Sequence, residues 1–198
     1  MDNTNVQEFL AFVKATCKFY KVKLDLRKRK YLVLSGNIKC SGYFDGENRE
    51  LVVATNRVDW LPILVHEFGH LTQWVENCKV WKNSGDSLGL VDDWLGGKSV
   101  KNIKKALGRS RDLELDNEKR SVKIIKEWNL PIDIKLYTQK ANAYVQFYNY
   151  MFYSRRWCTQ NNTPYSNPEI YSKMPTTFGM NYETLSPKYK KVFVAAGI

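Results

Sequence analysis

The hydrophobic pattern changes in kind within the first 55 residues. Residues 6–20 predict an amphipathic helix, because apolar side chains recur there at helical spacing: Val6, Phe9, Leu10, Val13 and Cys17. Three short β-prone runs follow, YLVLSG, IKCSGYFD and ELVVAT, separated by glycines and by the turn DGEN at 45–48. They predict a small, mainly antiparallel sheet, with KFYKVKLDLRKRK as a basic connector before it.

A second amphipathic pattern predicts a helix over about 60–78. Asp59 can cap it and Pro62 falls in its first turn. Its buried stripe repeats at intervals of four, three and four residues: Leu64, Phe68, Leu71 and Val75.

The rest of the chain is predicted to be helical with exposed connections. Residues 82–110 are rich in Gly, Ser, Asp and Lys, which predicts an exposed insertion with one short helix. A helix from about Asp112 to Trp128 and a long aromatic helix over about 132–158 follow, and four prolines predict a mostly irregular end. We therefore predict an α+β single domain over 1–198, with a core at about 5–131 and a helical extension at about 132–198.

Composition narrows the class of protein. A chain of 198 residues with 43% hydrophobic content is long enough for one core. No run reaches the roughly 18 apolar residues of a membrane span, and the N-terminus lacks the pattern of a secretory signal, so we expect a cytoplasmic protein without membrane contact. The cysteines lie far apart and are interpreted as buried free thiols: Cys17, Cys40, Cys78 and Cys158.

The charge balance is strongly basic. The chain has 31 Lys and Arg against 20 Asp and Glu, a net charge of +11. Seven basic residues fall within 18–30, so weak contact with nucleic acid or an acidic protein is one interpretation of this run. A solvated connector is the other interpretation.

Both histidines of the chain lie in ILVHEFGHLTQW, at 63–74. His66 and His70 project from one side of the predicted helix, one turn apart, so two imidazole nitrogens can reach one ion. Glu67 is rotated off that line and can act as a general base on a water bound to the metal. The alternative is a helix with two structural histidines.

A catalytic zinc needs a third protein ligand and one position for water. Since the chain has no third histidine, the predicted helix after Asp112 must supply a carboxylate. Glu118 is favoured as the ligand because it lies within the apolar stripe of Leu115, Val122, Ile125 and Trp128, where an uncompensated charge is costly. Glu114, on the edge of this stripe, is the other candidate, and the glutamate that is not a ligand would accept a hydrogen bond from a histidine.

The order of helix, small sheet, LVHEFGH helix and glutamate helix resembles the ImmA/IrrE group of zinc metallopeptidases over about residues 5–131. The second motif of that group is similar to Glu118, Ser121 and Pro131 here. The segments LELDNEKR, NLPIDI, QKANAYVQFY and RRW resemble uncharacterised metallopeptidases of large tailed phages. The resemblance implies a zincin-like fold, a zinc cofactor and, for a phage protein, the host cytoplasm.

These residues predict a zinc-dependent metallo-endopeptidase that hydrolyses a protein or peptide substrate. His66, His70 and Glu118 or Glu114 would bind Zn²⁺, and Glu67 would be the catalytic base. Tyr144 could stabilise the oxyanion, although core packing also explains an aromatic residue there. The alternative function is a nucleic-acid or protein binding module whose metal site is structural or inactive.

Overall fold

The computed structural model of the protein describes residues 4–34, 39–159 and 161–198. Over these ranges the chain forms helices and short strands, which confirms the α+β class. The contacts divide it into two compact units, residues 1–78 with 120–132 and residues 79–119 with 133–198. The predicted single domain stays a prediction.

The first unit combines two helices with the strands. Helix α1 spans Thr4–Phe19 and helix α2 spans Trp60–Glu76. The strands between these helices are β1 at Lys23–Arg27, β2 at Leu32–Val33, β3 at Lys39–Cys40, β4 at Gly42–Asp45 and β5 at Glu50–Ala54.

The main sheet has the strand order β1-β5-β4. Strand β5 pairs in parallel with β1, in the register Lys23 to Glu50, and antiparallel with β4, in the register Gly42 to Val53. The main sheet is therefore mixed rather than mainly antiparallel, and β2 and β3 form a separate antiparallel pair. Because β5 is the central strand, both of its edges are occupied.

Strand β1 corrects the prediction of a basic connector. Leu24 and Leu26 alternate with Lys23, Asp25 and Arg27, the period-two pattern of an edge strand that carries its charges towards solvent. The charges pair locally, since Lys23 Nζ lies 3.0 Å from Glu50 Oε1 and Arg27 Nε lies 2.8 Å from Asp25 Oδ2. The density of Lys and Arg hid this alternation in the sequence.

Helix α2 begins and ends close to the predicted residues. Asp59 occupies the N-cap position, but its side chain makes no cap hydrogen bond. It accepts instead from Arg57, whose Nε and Nη2 lie 2.7 and 2.8 Å from the two carboxylate oxygens. Asn77 ends the helix in the left-handed conformation, with φ of 47°.

An aromatic cluster packs against α2 in the first unit. The rings of Phe9 and Phe68 meet edge to face with centroids 5.8 Å apart, and those of Phe12 and Trp128 lie 5.0 Å apart. Phe9 and Phe68 are buried, whereas Phe12 is 44% exposed, and aromatic rings in such contacts contribute strongly to packing. The cluster joins α1, α2 and Trp128, which lies in the 120–132 segment of this unit.

The second unit is helical. Its elements are α3 at Lys79–Ser84, α4 at Ser87–Leu95, α5 beginning at Ile103, α6 at Ile134–Ser154, α7 at Pro168–Tyr171 and α8 at Pro187–Ala195. Helix α5 runs without interruption to Glu127, so its last turns belong to the first unit. None of the helices in the described ranges combines the length and hydropathy that a membrane span needs.

Many residues of 82–110 are exposed, as predicted, but the segment is more helical than predicted and contributes side chains to a core. Val91 of α4 and Ala106 and Leu107 of α5 are buried in one cluster with Phe147 and Met151 of α6. Helix α5 also begins nine residues before the predicted start at Asp112. Three widely spaced apolar side chains pack these helices against α6, and the Gly, Ser and Lys residues between them masked that pattern.

The C-terminal segment is more regular than predicted. Pro168 and Pro187 each begin a helix after a capping side chain, Asn167 and Ser186. The irregular stretch between these helices is held by amide groups of α6. Asn142 Nδ2 donates to the carbonyl of Pro175 at 2.8 Å, and Gln146 Nε2 donates to that of Asn181 at 2.7 Å.

Candidate metal site

The two histidines lie one turn apart on α2, as their spacing predicts. Their ring centroids are 4.9 Å apart and their planes are nearly perpendicular, at 86°. Both side chains are half-buried. Two imidazoles in this arrangement can direct one nitrogen each towards a shared ion.

A carboxylate of α5 completes a group of three ligand-type side chains. One ligand atom each from His66, His70 and Glu114 lies within 4.8 Å of the others, so this group could hold a metal ion. Glu114 is buried, with 5% of its surface exposed. Of the two glutamates considered from the sequence, the described residues group Glu114 with the histidines.

Glu118, the favoured ligand, has another partner. Tyr137 donates its hydroxyl proton to Glu118 Oε2 over 2.6 Å. The sequence-based ranking followed large apolar residues and placed the centre of the buried face near Glu118. Small polar residues that are fully buried move this centre by roughly 40° towards Glu114, and they are Ser110, Asn117 and Ser121.

The chemistry of the group fits zinc. Two imidazoles and one carboxylate form a donor set of a catalytic zinc site, with bonds of about 2.0 to 2.2 Å. Ligand atoms around a tetrahedral ion of that size lie about 3.3 Å apart, a separation compatible with the 4.8 Å limit of this group. Magnesium and calcium prefer sites made of oxygen ligands, and the two imidazoles here do not fit that preference.

Glu67 follows His66 directly and is buried, with 9% of its surface exposed. The backbone of β4 approaches it closely. A Cβ added at Gly42 would lie 3.1 Å from Glu67 Cγ and 2.8 Å from Ile63 Cγ2. Only glycine leaves room there for Glu67 in its present position, and the sequence analysis missed this contact because it lies between a strand and a helix.

Cys40 lies on β3 within electrostatic reach of Glu67. Burial and, to a lesser extent, the negative charge of Glu67 raise the pKa of the Cys40 thiol to about 11. The thiol is therefore protonated at neutral pH. All four cysteines are free thiols, as interpreted from their spacing, but only Cys17 is buried and the other three are half-buried.

Gln73 is a buried polar residue beside a histidine that sequence reasoning passed over. It is fully buried on α2, and its Oε1 lies 2.8 Å from His70 Nδ1. The sequence carried a signal for this contact, since an amide three residues after a histidine on the same helix can reach its ring.

Tyr144 of α6 belongs to an aromatic group beside Glu114. Its hydroxyl lies 3.1 Å from that of Tyr148, and its ring meets Tyr165 edge to face. Burial raises the pKa of Tyr144 well above 10, and the charge of Glu114 raises it further. The phenol therefore keeps its proton at neutral pH and can donate a hydrogen bond.

Arg120 links the last turns of α5 to α2 in the first unit. Its Nη1 lies 2.8 Å from Glu76 Oε2 and 3.4 Å from Thr72 Oγ1. Glu76 is more than half exposed, so the ion pair contributes modestly to stability. Its geometric effect is to join α5 to the helix that carries both histidines.

Comparison of the chain with known protein families, with curated proteins and with solved structures found no match.

Proposed function

We propose that this protein is a zinc-dependent metallo-endopeptidase that hydrolyses peptide bonds in a protein substrate. The observation that carries the proposal is the group of His66, His70 and Glu114, which could hold a metal ion, with Glu67 next to the first histidine. A structural zinc site has four protein ligands, whereas a group of three matches a site that keeps a position for water.

Each residue has a separate task in this proposal. His66, His70 and Glu114 would hold the ion, which when bound polarises the scissile carbonyl and lowers the pKa of water. Glu67 accepts a proton from the attacking water and passes it to the leaving amine. Its position directly after His66, with 9% of its surface exposed, supports this role.

Tyr144 has a secondary role in the proposal. Its hydroxyl keeps its proton at neutral pH, so it can donate to the oxygen that becomes negative during hydrolysis. The packing of its ring against Tyr165 gives it a structural role as well. Tyr144→Phe keeps the ring and removes only the donor, and we expect it to lower turnover without loss of metal.

Metal content is the first test. Glu114→Gln and Glu118→Gln are matched variants, since both remove one charge from a buried glutamate of the same helix. We expect zinc analysis to find one ion per chain in the wild type and in Glu118→Gln, and a large loss in Glu114→Gln. Equal zinc in both variants would contradict the ligand set.

Turnover is the second test. A library of peptides from digested cell protein is incubated with the wild type, and new termini are read by mass spectrometry. We expect Glu67→Gln to retain zinc and to lose cleavage by about 100-fold or more, the range of a general base. Cleavage by Glu67→Gln at the wild-type rate would rule out this mechanism.

The free thiols support a proposal for the cellular compartment in which the protein acts. Four cysteines outside any disulfide are typical of a reducing compartment, so we propose that the peptidase acts in the cytoplasm, which would be the host cytoplasm for a phage protein. Its substrate would be an intracellular protein.

A further inference from the structure

Gln73 is a polar side chain with no solvent exposure on the helix of the two histidines. A buried amide costs free energy unless its polar atoms are hydrogen-bonded. The partner of its Oε1 is His70 Nδ1, at a distance of 2.8 Å. This contact joins a fully buried side chain to one of the three ligand candidates.

The contact determines which nitrogen of His70 carries the proton. An amide oxygen only accepts hydrogen bonds, so Nδ1 must be the donor. In a neutral imidazole the other nitrogen, Nε2, then has its lone pair available for a metal. If Gln73 were turned to donate through its amide nitrogen, the proton would move to Nε2 and His70 could not bind a metal through that atom.

The geometry is local and therefore present before any ion binds. His70 and Gln73 lie three residues apart on one helix, so the backbone itself holds the two side chains together. Thr72, between these residues, contacts Arg120 of α5 through its hydroxyl. The turn of α2 that carries His70 and Gln73 is thus hydrogen-bonded to α5.

We propose that Gln73 is a positioning residue, which fixes the tautomer and ring orientation of His70 so that Nε2 faces the metal. The inference rests on the metal site of the proposed function and not on peptide hydrolysis. It assigns the protein an extended motif in which the helix supplies both the ligand and the group that orients it.

The experiment compares Gln73→Leu, Gln73→Glu and Gln146→Leu. Gln73→Leu keeps a similar volume and removes the acceptor, whereas Gln73→Glu keeps an acceptor oxygen. Gln146→Leu is the matched control, because Gln146 is also fully buried but donates to the carbonyl of Asn181. Zinc affinity is measured by competition with a chromophoric chelator, and the unfolding midpoint is measured without metal.

We expect Gln73→Leu to bind zinc about 10- to 100-fold more weakly than the wild type, the usual effect of losing a group that orients a ligand. Gln73→Glu should retain affinity within a few-fold, and Gln146→Leu should lose stability without loss of affinity. A cobalt-substituted protein should show an altered absorption spectrum only for Gln73→Leu.

Nuclear magnetic resonance of the metal-free protein gives a readout that does not depend on zinc. The chain has two histidines, so four ring nitrogens report all imidazole tautomers. The spectra are recorded at about pH 8, where an ordinary imidazole is neutral. In the wild type we expect the ¹⁵N chemical shifts of His70 to indicate the tautomer with its proton on Nδ1. In Gln73→Leu both tautomers should be populated.

The outcomes separate the two proposals. A wild-type protein that binds zinc, with a Gln73→Leu variant of equal affinity and an unchanged His70 tautomer, overturns the role of Gln73 alone. A wild-type protein that binds no zinc but holds His70 with the proton on Nδ1 overturns the proposed function and reduces Gln73 to a structural partner.

Discussion

The thiol of Cys17 is buried on the inner face of α1, with 1% of its surface exposed. Burial raises its pKa from 9.0 to about 11. The unfolded chain therefore loses this proton at a lower pH than the folded chain does, and the stability from this group decreases as the pH rises from 9 to 11. A pKa rise of this size corresponds to about 3 kcal/mol in the free energy of unfolding.

We expect Cys17→Ala to reduce the alkaline loss of stability, because the variant has no thiol to ionise. The measurement is the free energy of unfolding in urea at several pH values between about 8 and 11. Val13→Ala is the control, since Val13 is buried one turn away on the same helix and has no ionisable group. A wild-type pH slope in Cys17→Ala would contradict the prediction.

At the same scale, the sequence predicted that the two histidines lie together but left open which glutamate lies with them. His66 and His70 follow from helix geometry, which is local and periodic. The choice between Glu114 and Glu118 depended on which face of α5 is buried, and hydropathy gives no weight to the fully buried polar residues Ser110, Asn117 and Ser121. A buried polar face has no hydrophobic signal.

At the scale of elements, the approach of β4 to α2 determines where Glu67 lies. A Cβ at Gly42 would lie 2.8 Å from Ile63 Cγ2 and 3.1 Å from both Glu67 Cγ and the carbonyl oxygen of Val52. The carbonyl belongs to the paired backbone of β5 and moves little. The side chains of Ile63 and Glu67 must therefore give way.

We expect Gly42→Ala to destabilise the fold by about 1 to 3 kcal/mol, as overpacking does, and to lower cleavage by about 10- to 100-fold while zinc remains bound. Gly89→Ala is the control. Gly89 is exposed in α4 with open space around its Cβ position, so alanine there should increase stability by up to about 1 kcal/mol. Cleavage by Gly42→Ala at the wild-type rate would show that Glu67 tolerates displacement.

Elements with strong local signals were predicted correctly, and those fixed by distant contacts were not. Helix α2 has a regular buried stripe and begins at the predicted residue. Strand β1 is defined by parallel pairing with β5, whose partner residues lie 27 positions later, and a local pattern cannot show such pairing. Pro187 is one of the four prolines from which an irregular end was predicted, although after Ser186 it begins α8.

At the scale of the whole molecule, the net charge of +11 predicts weak binding of polyanions. Part of the basic segment at 18–30 is already neutralised, because Lys23 pairs with Glu50 and Arg27 with Asp25. We expect duplex DNA to bind without sequence preference, with a Kd of about 10⁻⁴ to 10⁻⁶ M at physiological salt.

Fluorescence anisotropy of a labelled duplex at increasing salt tests this prediction. The affinity should fall steeply between about 50 and 200 mM salt and should be the same for the wild type and for Glu67→Gln. Tight binding that prefers one sequence would favour the alternative function, a nucleic-acid binding module in which the metal site is structural.

Metal binding should also affect the stability of the folded chain. An ion that binds only the folded protein stabilises it, by about 2.7 kcal/mol when its concentration is 100 times its Kd. The unfolded chain cannot hold His66, His70 and Glu114 together, so we expect zinc to raise the melting temperature and a chelator to lower it again. Magnesium should have no effect, because it prefers oxygen ligands to imidazole.

Variants identify the origin of this stabilisation. Zinc should not change the melting temperature of His66→Ala or of Glu114→Gln. Glu67→Gln should retain the wild-type increase in melting temperature, since Glu67 acts on water and not as a ligand. An increase that survives the loss of His66 would place the bound ion elsewhere on the protein. Loss of the increase in Glu67→Gln would make Glu67 a ligand, and the hydrolytic mechanism would then lack its base.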